Sequence, residues 1–255
     1  MSSEAAASFN GLSADGERVL DVLAGLVDPL WRSLSTSSEV VLHEIGRLPN
    51  SVVAIAGNVT GRQAGDPATD LLLEQLRNVD REQNKIDYQS VLPDGRRLRS
   101  STMIVRDSDG VPVAALCINT DITEWLASQE LATNMVSGRN AAPSELRVQR
   151  SEPVRLEQPA VGGLVRAHTG ETRGETFPRS VDELVSQLIG GAIALTGVPV
   201  DLMKKHHKMA VVEQLEARGL FLLKDAVEII ALELGVTRFT IYNYLNELST
   251  AGKGE

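Results

Sequence analysis

The sequence has one cysteine, few aromatic residues and no long apolar run. Cys117 is alone among 255 residues, which excludes a disulfide framework and any cysteine-based zinc or iron–sulfur site within one chain. Aromatic residues make up 4%, so the core must consist of Leu, Val, Ile and Ala. No apolar run approaches the ~18 residues of a membrane span, and the N-terminus has no signal-peptide pattern. We expect a cytoplasmic protein with no metal site and no cofactor.

Positive charge is also scarce, which at first argues against nucleic-acid binding. The chain carries 25 Lys and Arg against 34 Asp and Glu, a net charge of −9, whereas phosphate contacts need a positive surface. The deficit is uneven along the chain, however. Residues 1–139 hold 12 basic and 19 acidic residues, a net charge of −7, while residues 200–255 hold 7 and 8, a net charge of −1. The acidity therefore does not exclude DNA binding by the C-terminal part.

The first half of the chain alternates between helical and extended patterns. Apolar residues three and four apart predict a helix over 14–34, and short β-branched runs bounded by turn residues predict strands. A meander follows, with hairpin turns at ProAspGly 93–95 and AspSerAspGly 107–110. Residues 16–137 are therefore predicted to form an α+β domain with a five-stranded antiparallel sheet and helical flanks. The predicted strands are 39–47, 51–57, 85–92, 96–106 and 111–121, and the further helices are 67–77 and 122–136.

Residues 138–180 differ from both neighbours. They contain four prolines, scattered glycines and alternating Glu and Arg, without a sustained apolar period. This composition predicts a flexible linker, or a tether that becomes ordered on binding. Helical patterns resume over 181–250, with a predicted helix over 201–218 that stops at Gly219 and two shorter helices near 225–234 and 237–249. We expect this part to form a small all-α domain.

The stretch Val227–Asn246 has the helix-turn-helix pattern. The small side chain of Ala231 allows two helices to cross closely, and Gly235 supplies the left-handed turn that other residues resist. Thr237 is predicted to cap the second helix, because its hydroxyl accepts from an otherwise unpaired backbone N–H. Ile241, Tyr244 and Leu245 are then expected to face the core.

The remaining positions of that second helix are candidates for reading DNA in the major groove. They are Thr237, Arg238, Phe239, Thr240, Tyr242 and Asn243. A basic cluster on the preceding helix, formed by Lys204, Lys205 and Lys208 beside His206 and His207, suits contacts to backbone phosphates. Two alternatives stay open: the lysines form an ordinary solvated face, or the helical module binds protein.

Several segments resemble a known family. ValValLeuHisGluIle at 40–45, AsnValThrGlyArg at 58–62, the hairpin at 93–102 and CysIleAsnThrAsp at 117–121 resemble the YheO-like PAS domain. Residues 209–248 resemble the DauR-type helix-turn-helix domain. The family consists of bacterial transcription regulators, so the resemblance implies a PAS-like sensor domain followed by a small DNA-binding domain.

Polar residues of the first domain are candidates for contacts to a small ligand. They lie in predicted strands and in the polar loop after the second strand: His43, Asn58, Arg62, Ser100, Ser101, Asn119 and Asp121. Each also has a structural interpretation. His43 suits a buried hydrogen-bonded residue, the loop around Asn58 suits a solvated turn, and Asp121 suits a cap for the helix that follows. Cys117 lies in an apolar strand and is expected to be a buried, inert thiol.

The sequence therefore predicts a DNA-binding transcriptional regulator that binds an operator as a homodimer, since one helix-turn-helix buries little surface on DNA. The helices over 16–34, 122–136 and 181–195 are the predicted dimer surfaces. No arrangement of catalytic residues or phosphate-binding loop indicates an enzyme. The alternative is a non-enzymatic regulator whose helix-turn-helix contacts a protein partner.

Overall fold

A five-stranded antiparallel sheet forms the first half of the structure, a computed structural model that describes residues 12–35, 37–77, 84–137 and 175–251. The strand order is β2-β1-β5-β4-β3, so the N-terminal hairpin and the later meander join through the β1–β5 pair. The elements are α1 Ala14–Ser33, β1 Ser38–Glu44, β2 Val52–Ala56, α2 Asp70–Arg77, β3 Lys85–Val91, β4 Arg97–Arg106, β5 Pro112–Asp121 and α3 Thr123–Ser137. The predicted α+β fold with helical flanks is confirmed.

Helix α1 covers one face of this sheet. Side chains alternate between the two faces along each strand, and Val40, Leu42 and Leu116 point to the face that packs against α1. Ser13 begins the helix, because its hydroxyl accepts from the N–H of Gly16 at 3.0 Å. The opposite face carries most of the buried polar side chains and receives α2, the segment 175–179 and part of the C-terminal domain.

The C-terminal domain contains four α-helices among its described residues. They are α4 Val181–Thr196, α5 Lys205–Ala217, α6 Ala226–Glu233 and α7 Arg238–Ala251. Leu184, Leu188, Leu215, Ile230 and Leu234 form its centre and are almost fully buried. Ser180 caps α4, accepting from the N–H of Glu183 at 3.1 Å, and Gly197 in the left-handed conformation ends it.

The two domains share one hydrophobic core. Leu72, Leu73 and Leu76 of α2 belong to the same buried cluster as the centre of the C-terminal domain. At Gly219, with φ +75°, an added Cβ would overlap the carbonyl oxygen of Leu73, so the two backbones meet there directly. Arg77 and Glu216 form an ion pair beside this contact. The domains are therefore packed together through α2.

Some element boundaries differ from those predicted. The first strand ends at Glu44 and continues as a 3₁₀ turn, Ile45–Arg47. Helix α2 begins at Asp70 rather than at 67, because the Thr69 hydroxyl accepts from the N–H of Leu72 at 3.1 Å. The helix predicted over 201–218 divides into a 3₁₀ turn, Val200–Leu202, and α5.

Most of the predicted linker, residues 138–174, lies outside the described residues. Its last residues are described and pack against the first domain, with Glu175 and Pro178 buried. No helix in the described ranges is long and apolar enough to cross a membrane.

Candidate nucleic-acid interface and buried polar face

Helices α6 and α7 form the helix-turn-helix that the sequence predicts. Gly235 adopts φ +59°, and the N–H of Val236 donates to the carbonyl of Ala231 at 2.9 Å. The hydroxyl of Thr237 lies 3.3 Å from the N–H of Thr240, as expected for a cap. Ile241 is fully buried and Tyr244 is 6% exposed, so the predicted inner face of α7 is confirmed.

The predicted base-reading residues lie together on the outer side of α7. Phe239 is 74% exposed and Tyr242 51% exposed, and Thr237, Arg238 and Asn243 are also exposed, while Thr240 is half-buried. Two large aromatic side chains of α7 are therefore mostly exposed to solvent. The guanidinium of Arg238 lies 3.6 Å from the carboxylate of Glu228 on α6.

The three predicted phosphate-contacting lysines differ in their surroundings. Lys204 is exposed at the start of α5. The ammonium of Lys205 lies 2.8 Å from Glu247 near the end of α7, and Lys208 donates to the carbonyl of Leu234 at 2.6 Å. Lys208 therefore stabilises the C-terminal end of α6, where the helix dipole favours a cation. Through these two contacts, Lys205 and Lys208 connect α5 to the helix-turn-helix.

Opposite α1, the sheet carries a row of polar side chains. Glu39 pairs with Asn119, Asn119 with Ser100, and Ser100 with Tyr88 across four neighbouring strands. Glu39 is fully buried and accepts from the N–H groups of Val59 at 2.8 Å and Thr60 at 2.9 Å. It also accepts from the Thr60 hydroxyl at 2.7 Å and from the Asn119 amide at 2.9 Å. Four donors therefore hold this carboxylate and fix the loop after β2 to the sheet.

Comparison with protein families identifies both domains. A model described as the YheO-like PAS domain matches residues 14–137, and one described as an HTH domain matches residues 184–246. The chain carries a YheO-like PAS domain and a C-terminal helix-turn-helix domain. The buried polar row thus lies inside the PAS domain.

Curated relatives share this organisation over nearly the whole chain. Transcriptional regulator DauR of Pseudomonas aeruginosa is 28% identical over 242 residues, 94% of this chain and all of the relative. An uncharacterised protein of Haemophilus influenzae is 26% identical, covering 92% of this chain and 93% of its own length. Protein YheO of Escherichia coli K12 is 24% identical, covering 91% and 85%. No solved structure matches the chain significantly.

His43 is a buried neutral residue of the PAS domain. It is fully buried, and its Nδ1 lies 2.9 Å from the Ser51 hydroxyl, while Nε2 has no partner in the described part of the chain. Burial, and secondarily the positive charge of Arg62, holds the pKa of His43 well below 6.5. An uncharged imidazole with a free nitrogen is available for one further hydrogen bond.

The other predicted ligand-contacting residues fall into two groups. Arg62, Ser100 and Asn119 lie with His43 among the buried polar groups of the PAS domain. Ser101 points to the other face of the sheet, since it neighbours Ser100 on the same strand, and it accepts from the N–H of Asp87 at 3.1 Å. Asn58 is exposed. Asp121 accepts from the N–H of Thr123 at 3.0 Å and from Arg96 at 3.4 Å, an arrangement typical of a helix cap.

Three residues of the polar face were not among the predicted ligand contacts: Glu39, Tyr88 and Glu175. Period-two alternation with Val41 and His43 places Glu39 on the inner face of β1, so its position could have been found. Tyr88 alternates in the same way with neighbouring polar residues. Glu175 had no such signal, because the predicted linker that contains it has no secondary-structure period.

Burial also controls the ionisation of this face. It raises the pKa of Glu175 to about 7 and that of the Cys117 thiol to about 12, and it raises the pKa of Tyr88. Cys117 is therefore a protonated, buried thiol. Among the described residues, no group of three or more His, Cys, Asp and Glu side chains could hold a metal ion. A surface depression of about 520 Å³ is lined by other residues, including Arg47, Asn50 and Ala64.

Proposed function

We propose that this protein is a transcriptional regulator that binds an operator in double-stranded DNA through α7. The observation that carries this proposal is the outer side of α7, where Arg238, Tyr242 and Asn243 are exposed together beside a Thr237 cap. Arginine pairs well with guanine and asparagine with adenine in the major groove. Hydroxyl groups and the N-terminus of a helix suit phosphate oxygens.

The basic residues around α7 support a DNA-facing orientation of this surface. Lys204 and Lys205 begin α5, and the Lys205–Glu247 contact places that end of α5 against α7. Exposed surface ion pairs contribute at most about 1 kcal/mol, so a phosphate can compete with Glu247 for the ammonium. We therefore assign Lys204 and Lys205 to phosphate contacts that flank the groove, and Lys208 mainly to holding α6.

We further propose that the protein acts as a homodimer. Helix α3 carries exposed apolar side chains at Trp125, Leu131, Met135 and Val136, from 63% to 89% exposed. None of the buried clusters formed by described residues includes a side chain of α3. An apolar helix that no buried cluster of the described residues covers suits packing against a second copy. Two copies would then present two recognition helices to one operator.

In this proposal the PAS domain senses a small ligand and influences the DNA-binding domain. The buried polar face supplies recognition groups, with polar atoms at His43, Ser90 and Ser100 that have no hydrogen-bond partner among the described residues. The shared core supplies the coupling, because α2 packs on both the PAS sheet side and the C-terminal helices. A change at the polar face can thereby alter the position of the helix-turn-helix.

The test measures binding of the full chain to DNA taken from upstream of its own gene. Fluorescence anisotropy would compare this DNA with a shuffled duplex of equal length and composition, at one salt concentration. We expect the upstream DNA to bind about a thousandfold more tightly, and the affinity to fall steeply with salt. Equal affinities, or no binding to either duplex, would contradict the proposal and favour a protein-binding role for the module.

A further inference from the structure

The segment Glu175–Arg179 packs on the polar face of the PAS domain, in a position that a bound ligand could occupy. Glu175 is 7% exposed, and the N–H of Thr176 donates to the carboxylate of Asp70 at 2.8 Å. Phe177 packs on the small apolar cluster of Val59, Leu92 and Leu98. The segment thus places one carboxylate and one aromatic ring inside the sensor domain.

Glu175 is bound by hydroxyl groups of the domain. The hydroxyl of Tyr88 donates to its carboxylate at 2.9 Å, and Thr69 also forms a hydrogen bond to it. Tyr88 in turn lies 3.0 Å from the hydroxyl of Thr102, which lies 3.5 Å from the Cys117 sulfur. These contacts form a continuous chain from the segment to the centre of the sheet.

The segment leaves the charge of Arg62 only partly satisfied. Arg62 is 5% exposed, its Nε donates to Thr60 at 3.3 Å, and its guanidinium carbon lies 5.3 Å from the centre of the Phe177 ring. Its Nη1 has no hydrogen-bond partner among the residues that the structure describes. A buried guanidinium normally has each nitrogen paired, so this atom indicates room for a better-placed anion.

We propose that Glu175 and Phe177 are an internal occupant of a ligand site, and that a small organic acid with an apolar, ring-sized body takes their place. Its carboxylate accepts from Tyr88, Thr69 and the free Nη1 of Arg62. Its apolar body fills the space that Phe177 occupies on Val59, Leu92 and Leu98. This inference rests on the proposed sensor function and names the ligand class.

The charges of the face favour an acid over an amine. Glu39 already accepts from four donors, so it has little capacity left for an ammonium group. Once Glu175 is displaced, Arg62 is a buried cation without a full set of partners among the described residues. The carboxylate of Asp70 also loses the N–H of Thr176, but it is only half-buried and water can reach it, so a cationic ligand in the place of Glu175 would be repelled by Arg62.

Displacement of the segment Glu175–Arg179 would directly affect the start of the DNA-binding domain. Ser180, one residue after the segment, caps α4, and Arg179 donates its N–H to Glu183 in the first turn at 2.9 Å. Asp70, which binds the segment, begins α2. Ligand binding therefore releases a connection that holds α4 against the PAS domain.

The first experiment uses a fluorescent peptide of residues 174–179 and three full-length chains. Glu175→Ala with Phe177→Ala empties the site, and Glu247→Ala with Phe239→Ala is a control of identical composition with the site still filled. We expect the peptide to bind the emptied chain at least about tenfold more tightly than the wild type or the control. Equal binding to all three chains, or no binding to the emptied chain, would overturn the proposal.

Competition then tests the ligand class. Phenylacetate and phenylacetamide have nearly the same shape and differ in charge, so only the acid should satisfy Arg62. We expect phenylacetate to displace the peptide from the emptied chain at a concentration about tenfold lower than phenylacetamide. Equal displacement, or displacement by neither compound, would overturn the assignment to organic acids. No step involves DNA, so the result is independent of the DNA-binding test above.

A second variant keeps the proposal testable if the emptied chain does not fold. Tyr88→Phe removes only the hydroxyl that contacts both Glu175 and Thr102, and Cys117 is the only cysteine in the chain. Loosening the segment should expose the thiol more often, so we expect its alkylation by iodoacetamide to become about tenfold faster than in the wild type. An unchanged rate would contradict the internal-occupant role of Glu175.

Discussion

The ammonium of Lys205 lies 2.8 Å from the carboxylate of Glu247, joining the start of α5 to α7, the proposed recognition helix. This contact places a negative charge next to the surface that we assign to DNA. In the proposed complex, a phosphate would have to displace Glu247 before it could bind Lys205. The pair would therefore moderate the affinity of the proposed DNA-contacting surface.

Removing the charge of Glu247 should strengthen DNA binding. In Glu247→Gln, Lys205 loses its ionic partner and the helix loses one charge that repels phosphates. We expect a severalfold gain in affinity, in line with the ~1 kcal/mol ceiling of a surface ion pair, and a salt dependence steeper by about one phosphate contact. Anisotropy over a salt series measures both. Glu17→Gln, an equal charge change on α1, should alter neither, and an identical gain in that control would contradict this explanation.

The contact between the domains at Gly219 should be sensitive to a single methyl group. Gly219 and Gly197 both have positive φ, but only at Gly219 would a Cβ overlap the backbone of Leu73. Each substitution by alanine costs about 1 kcal/mol for the left-handed conformation. Gly219→Ala should lower the free energy of unfolding by a further ~1–3 kcal/mol, because the shared core must move to make room for the methyl group. Urea unfolding compares the two variants, and equal losses would show that the domains do not meet tightly there.

His43 should make the PAS domain less stable as the pH falls. Its pKa in the folded state lies well below 6.5, the usual value, so below that pH the unfolded chain binds a proton that the folded chain does not. The free energy of unfolding then falls by up to ~1.4 kcal/mol for each pH unit until the folded-state pKa is reached.

The measurement for His43 is chemical denaturation at several pH values between 5 and 7.5. The variant His43→Gln should show a shallower loss of stability toward acid than the wild type. Ser51→Ala removes the hydrogen-bond partner but keeps the buried imidazole, so it should retain the slope of the wild type. Parallel curves for His43→Gln and the wild type would rule out this histidine as the cause.

Helix α3 should decide the oligomeric state. Introducing charge with Leu131→Asp and Met135→Asp should convert the proposed dimer to a monomer and weaken operator binding, because buried unpaired carboxylates are costly. The control Gln129→Asp with Thr133→Asp adds the same charge at polar positions of the helix. Light scattering gives the masses. A monomeric wild type would contradict the proposed dimer. A dimer that the Leu131 and Met135 changes leave intact would show that the dimer contact lies elsewhere.

Local patterns were sufficient to predict most of the fold and the second helix of the helix-turn-helix. The turn at Gly235 and the cap at Thr237 depend on residues within a few positions of one another, and the strands depend on alternation between two faces. Helical spacing of three residues correctly predicted that Ile241 and Tyr244 face the core. These features could be predicted because they depend on residues close together in the sequence.

The polar face was only partly predictable because its contacts are long-range. Tyr88 and Glu175 are 87 residues apart, and the loop that brings Thr60 to Glu39 closes across two strands. Ser101 was included with Ser100 from composition, although adjacent residues of a strand point to opposite faces. The packing of α2 on the C-terminal helices was also not apparent, since a leucine-rich helix has no marker for which domain it contacts.

The most direct test of DNA recognition by α7 compares operator binding by the wild type with operator binding by the double variant Arg238→Ala, Asn243→Ala. Each base contact contributes about 1–3 kcal/mol, so we expect the double variant to lose at least about a hundredfold in affinity and its preference for the operator over shuffled DNA. Arg99→Ala with Asn50→Ala, an exposed pair in the PAS domain, should bind as the wild type does. Retention of tight, sequence-preferring binding by the α7 variant would contradict the assignment of α7 as the recognition helix.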